Sequence, residues 1–394
     1  MTSDRYDVVI IGGGATGCST AVFLGLEPGF DGKVLVVERD PTYENAPSAK
    51  ATGGFRQQFS IPENISMGLF GIHFIKHLDE YLGIDEQRPD VAFRESGYLL
   101  LATEQALPTM RESNDLQRKM GADIAWRSPD ELNERFPWLA LDGLVGGFLS
   151  NSNEGHVDPW LLLQAYRRKA KALGTDFIKD EVVALHKEGE RIVSLSLAGG
   201  GEIACRTVVN AAGASGARGI CKGLGIDLPI EPRKRCTFVF ECRGDVGIAP
   251  FTITEKGLVF RSDGGRFISN FAPPPDRDPP TLDADVDYSL FDDFLWPELA
   301  RRVPAFEAIR LTGAWCCHYD YNTLDQNLII GRTPWFENFL LAAGFSGHGL
   351  QQSPAVGRAL SELITYGEYR TIDLARFGYE RALKSEALME RNCY

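Results

Sequence analysis

The chain has 394 residues and eight cysteines, yet no CxxC pair. A zinc finger or ribbon needs that paired spacing, and a chain this long does not depend on a disulfide framework. No metal site is therefore expected. No apolar run approaches the roughly 18 residues of a membrane-spanning helix. No secretory leader is expected either. Asp4, Arg5 and Asp7 interrupt the start, and a strand-like run follows at once. These absences predict a cytoplasmic protein. Positive charge is scarce too: 41 Lys and Arg stand against 54 Asp and Glu, a formal net charge of −13. Nucleic acids and anionic membranes select basic surfaces, so neither is an expected partner. No internal repeat or low-complexity tract is present. Oligomeric state is open at this level.

Apolar residues make up 44% and charged residues 24%, an ordinary globular composition. The length favours two domains. The first residues, YDVVII (6–11), read as a strand buried on both faces. They stop at GGGATG, after which Cys18–Leu26 has helical character, and VLVV (34–37) reads as a second buried strand. Strand, glycine turn, helix, strand is a βαβ unit. Within the turn, Gly12, Gly14 and Gly17 form GxGxxG. Gly12 permits the sharp bend, Gly14 lets backbone approach a pyrophosphate, and Gly17 lets the helix lie close to the strand. Glu38 ends the next strand, where it can accept from ribose hydroxyls and disfavours a 2′-phosphate. The chain then departs from regular βαβ units with a small-residue loop, SAKATGGFR (48–56), able to lie along a flat ring. This favours FAD over NAD.

Helical spacing predicts helices over 65–82, 159–173 and 354–366. Strand-like runs fall at 97–102, 207–212, 237–241, 258–268, 328–331 and 339–342. The stretch APPPDRDPPTLDAD (272–285) is a loop by composition. His73 and His77 lie four apart on a predicted helix, but no third ligand completes a metal site, and a packed or solvated helix face is the expectation. Adjacent Cys316 and Cys317 read as two small buried thiols.

A second glycine turn, GFSGHG, lies between the strand-like LLAA and the Ala/Leu-patterned run that begins near Pro354. A helix start there aims backbone N–H groups at one point. It would stabilise the negative charge of a reduced flavin near N1. Gly344, Gly347 and Gly349 would let backbone touch the ring.

The stretches VVIIGGGATG, VVERD, ATGGFRQQFS, TVVNAAGASG, DYNTLDQNLIIG and AAGFSGHGLQQSPAVGRAL resemble the D-amino-acid oxidase/sarcosine oxidase superfamily. The resemblance is greatest to its FAD-dependent oxidoreductase domain-containing subgroup, whose eukaryotic member is a mitochondrial complex I assembly factor. It runs from Tyr6 to about Ile364. It implies a mixed α/β and α+β fold: a glutathione-reductase-like (Rossmann) FAD-binding domain with an inserted substrate domain on a mainly antiparallel sheet. The FAD-binding domain would comprise 1–84, 150–217 and 326–394, and the substrate domain 85–149 and 218–325. FAD would contact Gly12, Gly14, Ala15, Thr16, Gly17, Glu38 and Arg39. It would also contact Ser48, Lys50, Thr52 and Gly53 in the ring loop, and Val182, Ala211 and Gly213 nearby. At the redox end it would meet Gly344, Gly347, His348, Gly349, Leu350 and Gln351.

The chemistry implied is oxidation of a C–N bond in a small amino acid or N-substituted glycine, such as sarcosine or iminodiacetate. Hydride passes to flavin N5, the imine hydrolyses in water, and oxygen or an electron carrier takes the electrons. Arg56, Arg261 and His348 are the candidates for chemistry and substrate orientation, with Tyr319, Tyr321 and Gln351 lining the substrate pocket. Two positions depart from the sarcosine oxidases: Gln351 replaces a carboxylate-binding lysine, and GGRFISNF (264–271) lacks the lysine that helps activate oxygen. Cys317 falls one residue out of register with their flavin-linking cysteine. Non-covalent FAD is thus expected, with a link through Cys317 open. Alternatives are a flavin-bearing assembly factor with little turnover, and a 2-hydroxy-acid dehydrogenase.

Overall fold

A computed structural model of the chain describes residues 5–391. Two eight-stranded sheets organise it. In the first, strands Phe336–Ala343, Glu202–Asn210, Arg5–Ile11, Val34–Glu38 and Asp176–Lys179 run parallel in that spatial order, with Ile329–Thr333 antiparallel at the edge. A hairpin, Val182–Glu188 and Arg191–Leu197, pairs with the start of Glu202–Asn210.

Alternation explains why these strands are apolar throughout. Val8, Ile10, Val34 and Val36 pack against helices Ala15–Leu26, Pro159–Ala172 and Gly349–Tyr366. Val9, Ile11, Leu35 and Val37 pack on the other face, against the hairpin and helix Gly213–Gly223. Helices Ala15–Leu26 and Gly349–Tyr366 cross closely because Gly357 has no side chain. A Cβ there would sit 2.2 Å from Ser19 Oγ.

The second sheet has the order Ile309–Asn322, Ile230–Cys242, Arg266–Asn270, Val259–Asp263, Phe251–Ile253, Tyr98–Ala102, Gly146–Ser150, Ile124–Arg127. Every neighbouring pair is antiparallel except Phe251–Ile253 with Tyr98–Ala102.

Three predicted elements differ. The run 258–268 is a hairpin rather than one strand, turning at Gly264 and Gly265, whose φ values of +57° and +86° suit a two-residue primed turn. The helix predicted over 65–82 is two, Pro62–Lys76 and Leu78–Leu82, broken at His77. Rings of His73 and His77 stack with centroids 4.1 Å apart, and His77 Nδ1 lies 2.7 Å from the His73 carbonyl. Lastly, the helix predicted from Pro354 begins at Gly349, with the proline inside it. Pro354 has no N–H for the Leu350 carbonyl. The Ser353 hydroxyl donates to that carbonyl instead, at 2.8 Å, and lies 3.2 Å from the Tyr166 hydroxyl.

The motif DYNTLDQN (320–327) proves to be mainly a structural hub. Asn322 Nδ2 donates to Asp325 Oδ1 at 3.1 Å, Asn64 Nδ2 donates to Asn327 Oδ1 at 2.8 Å, and Asn327 Nδ2 donates to the Leu388 carbonyl at 2.6 Å. Arg381 binds both Asp325 oxygens, at 2.9 and 3.2 Å, with the Asp325 side chain wholly enclosed. Losing the cation would strand a buried carboxylate. Arg381→Ala should therefore destabilise the fold by about 3–5 kcal/mol, seen as a clear drop in the thermal midpoint. An unchanged midpoint would contradict the hub.

Candidate functional site

Both glycine turns follow the same local plan. A parallel strand ends, the chain turns on glycine, and a helix begins. Gly12 takes φ +98°, and a Cβ on it would lie 2.5 Å from the Ala211 carbonyl. Gly17 packs as expected, since its Cβ would fall 1.9 Å from the Gly12 carbonyl. The helix then starts at Ala15, whose N–H donates to Ser48 Oγ at 3.0 Å. The N–H groups of Thr16 and Gly17 have no partner within the helix. At the second turn, Gly347 takes φ +100° and His348 caps the helix. The first turn's N–H groups at Gly349, Leu350 and Gln351 are likewise left without helical carbonyls.

Both turns open on one cavity of about 1010 Å³. Gly12, Gly14, Ala15, Thr16, Glu38 and Arg39 line one end, with Val182, Ala211 and Gly213 beside them. Ser48, Lys50, Thr52 and Gly53 line the middle. Gly347, His348, Gly349, Leu350 and Gln351 line the far end with Arg56, Cys317 and Tyr319. Glu38 is oriented by two donors, Gly13 N–H at 2.7 Å and Asp40 N–H at 2.8 Å. Arg39 reaches Ser215 Oγ at 2.5 Å.

Four predicted residues stand elsewhere. Gly17 serves packing behind the turn. Gly344 faces the second sheet, where a Cβ would meet Ile230 and Asn322 at 3.1 and 3.2 Å. Arg261 is buried and fully engaged. Its Nε and Nη2 donate to the Thr52 carbonyl at 3.3 and 3.0 Å, and its Nη1 donates to the Ser262 carbonyl and to Asp263 Oδ1, each at 2.8 Å. It staples the small-residue loop to the second sheet and is no free cation. Tyr321 lies outside the cavity wall, under the Arg233 guanidinium at 5.4 Å. The expectation that Gly344, Gly347 and Gly349 bare the backbone for a ring also changes. The close neighbours of Gly347 and Gly349 are the rings of Tyr319 and Phe345, at 2.4 and 3.2 Å from a built Cβ.

At the far end Arg56 is held on three sides. Its guanidinium carbon stands 4.5 Å from the Phe59 ring centroid, its Nη2 is 3.3 Å from His348 Nε2, and its backbone N–H donates to Gln351 Oε1 at 3.0 Å. Enclosure and the neighbouring guanidinium push His348 down to about 3. Its imidazole is thus neutral at ordinary pH, with Nε2 free to accept from Arg56. Arg56 Nη1 and Gln351 Nε2 are enclosed with no partner.

The opposite wall comes from the second sheet. Tyr98 and Phe251 stack with centroids 4.3 Å apart, next to Ile253, Val259, Thr237 and Asn270. Cys317 faces the cavity and burial pushes its thiol up to about 12.

Two carboxylates were missed at the sequence level. Asp320 lines the cavity and accepts from Gly344 N–H at 2.8 Å, and enclosure raises it to about 6. Glu154 is fully buried behind Arg56, accepting from Gln57 N–H at 2.5 Å and from Gln58 Nε2 at 2.8 Å. Burial raises it to about 7. Nothing in the local sequence marks either, because their burial is decided by distant segments.

A sequence model described as FAD dependent oxidoreductase (DAO) matches residues 7–363. The chain belongs to the DAO family of FAD-dependent oxidoreductases. It is 40% identical to FAD-dependent oxidoreductase domain-containing protein 1 of Xenopus laevis, across 100% of this chain and 85% of that protein. Identity to a monomeric sarcosine oxidase of Arthrobacter sp. (strain TE1826) is 24%, over 97% of this chain and 98% of the other. The crystal structure of L-proline dehydrogenase from P. horikoshii is similar with a TM-score of 0.87 at 25% identity, covering 98% of this chain and 100% of that one. The second-sheet architecture and the Rossmann-like first sheet are those of this fold.

This oxidoreductase has room for its cofactor. A Cβ on Gly213 would meet no atom within 4 Å, and one on Gly14 would meet only Ser48 Oγ, at 3.1 Å. Both residues line the cavity, so backbone is bared toward open space where a dinucleotide would lie. No helix among the described residues is long and apolar enough to cross a membrane.

Glu154 and Asp320 each hold a proton more tightly in the folded chain than at their ordinary values of 4.5 and 3.8. Their contribution to stability is therefore greatest at low pH, and is lost as pH rises through about 6 and about 7. The contribution of these two groups to the thermal midpoint should fall between about pH 4 and about pH 7 and level off above, and Glu154→Gln should flatten that fall. An unaltered slope in the variant would contradict the assignment.

Proposed function

We propose that this oxidoreductase oxidises the C–N bond of a small amino acid or N-substituted glycine, with FAD held along the cavity. One observation carries the reading: Arg56 and Gln351 both line the cavity, and each has an enclosed donor, Arg56 Nη1 and Gln351 Nε2, with no partner. A pair of lone donors beside a cationic group suits a carboxylate. The arrangement gives Gln351 a role that complements Arg56 at the position where the resemblance to sarcosine oxidases predicts a lysine.

In this reading the Thr16 N–H and the bared backbone at Gly14 receive the pyrophosphate and Glu38 the ribose, in the FAD-binding domain formed by 1–84, 150–217 and 326–394. Ser48–Gly53 and the helix start at Gly349 flank the redox end. FAD bound there supplies the acceptor for the hydride equivalent that leaves the substrate carbon. The protein's own part is orientation and exclusion of water. Arg56 is fixed by Phe59 and His348, so a carboxylate paired to it is placed without further ordering. The stacked Tyr98 and Phe251, with Ile253 and Val259, give the remaining wall an apolar character that shields the reacting carbon. The open cavity and the two waiting donors favour turnover over a purely assembly-related role.

The yellow holoprotein should bleach under anaerobic addition of one or more of sarcosine, iminodiacetate and proline, and admission of air then reports whether oxygen is the acceptor. No bleaching across a broad panel of secondary amines and amino acids would sink the reading; bleaching by 2-hydroxy acids alone would redirect it. For the bleaching substrate, Arg56→Gln should raise KM roughly 10- to 150-fold, the equivalent of the 1.5–3 kcal/mol of a charged hydrogen bond. An unchanged KM would remove Arg56 from carboxylate binding.

A further inference from the structure

Strands Ile230–Cys242 and Ile309–Asn322 place Cys236 directly opposite Cys316. Opposed residues of an antiparallel pair have Cα atoms about 4.5–5.5 Å apart, within the roughly 4.4–6.8 Å spanned by disulfides. Both thiols enter the same core cluster, beside Phe238 and Phe291, and each residue is 3% exposed. The Cys316 thiol lies within hydrogen-bonding reach of Cys236. Among the described cysteines no other pair is opposed in this way: Cys317 faces Arg235 across the ladder, and Cys205 faces Tyr6.

The Pro/Asp-rich segment covers this pair. Cys316 donates to the Ala284 carbonyl at 2.6 Å, and the Asp287 N–H reaches the Cys236 sulfur. Lys234 pins the same segment through Asp283 Oδ2 at 2.8 Å and the Asp285 carbonyl at 2.9 Å. Burial raises both thiols, while the Lys234 ammonium opposes the rise. Reaction therefore waits on lifting of residues 283–287. Cys236 has the Asp287 N–H directed at it, whereas the Cys316 thiol gives its hydrogen to Ala284, so the Cys236 thiolate is the better supported of the two.

We propose that Cys236 and Cys316 are a reversible dithiol–disulfide site oxidised by a hydroperoxide. Cys236 thiolate attacks the peroxide oxygen; an S–O bond forms, the O–O bond breaks, and hydrogen peroxide leaves one water. Cys316 then attacks that sulfur; the S–S bond forms and the S–O bond breaks, releasing the second water. Two thiols lose two electrons in all, and the peroxide gains them. The product withdraws the Cys316 donor from Ala284, freeing residues 283–287. It also lies next to the cavity wall, since Arg235, Thr237 and Cys317 line the cavity.

The test treats folded holoprotein with hydrogen peroxide, blocks remaining thiols with an alkylating agent and maps the peptides by mass spectrometry. A Cys236–Cys316 crosslink should form, cost two of the eight thiols, and reverse with dithiothreitol. Cys236→Ser and Cys316→Ser should each abolish it. Lys234→Ala, which frees the covering segment, should speed crosslinking several-fold. The proposal is overturned if both cysteines stay alkylatable in the wild type and in Lys234→Ala, or if they oxidise singly to sulfinic acid, or if another pair links instead.

Discussion

Backbone N–H groups left over at two helix starts, facing one cavity from opposite ends, are the constraint on which the rest depends. An α-helix leaves its first N–H groups without carbonyls, and here both starts follow parallel strands of the same sheet. Because the strands are parallel, the two starts emerge on the same edge of the sheet. The glycines keep side chains from filling the space between. Gly12 and Gly17 bring strand and helix together, and Gly14 and Gly213 leave the cavity wall bare.

The second sheet completes the site from the other side, and its attachment is polar as well as apolar. Arg261 ties the small-residue loop to it through the Thr52 carbonyl. Trp315 Nε1 donates to the Lys50 carbonyl at 2.8 Å. These contacts fix the loop that carries Arg56, and Glu154 secures the next residue, Gln57. An electrostatic chain results: a buried carboxyl behind, a guanidinium in the middle, a neutral imidazole in front. Such an arrangement orients a charged group without neutralising it, since Glu154 is drawn toward its protonated form by burial.

Local signals were legible where glycine acts locally. The GxGxxG turn, Glu38 and the second glycine turn could all be read because tight turns and strand ends depend on neighbours in sequence. The start of the last helix was misplaced by five residues because Pro354 reads as a helix start. Only the Ser353 hydroxyl, replacing the missing donor, allows the proline to sit inside. Arg261 was a candidate for chemistry and substrate orientation because the family resemblance sets its strand on the sheet that faces the flavin. Its partners, Thr52 and Asp263, include one 209 residues away. The burial of Glu154 and Asp320, and the opposition of Cys236 and Cys316, depend likewise on long-range pairing that no local pattern encodes.

A crystal structure of the yellow protein tests the central claim most directly. The account predicts pyrophosphate density against the Thr16 N–H and the Gly14 backbone, with the flavin ring between residues 48–53 and 347–351. Density for the ring at the Gly12–Gly17 turn, or a cofactor bound outside this cavity, would contradict it.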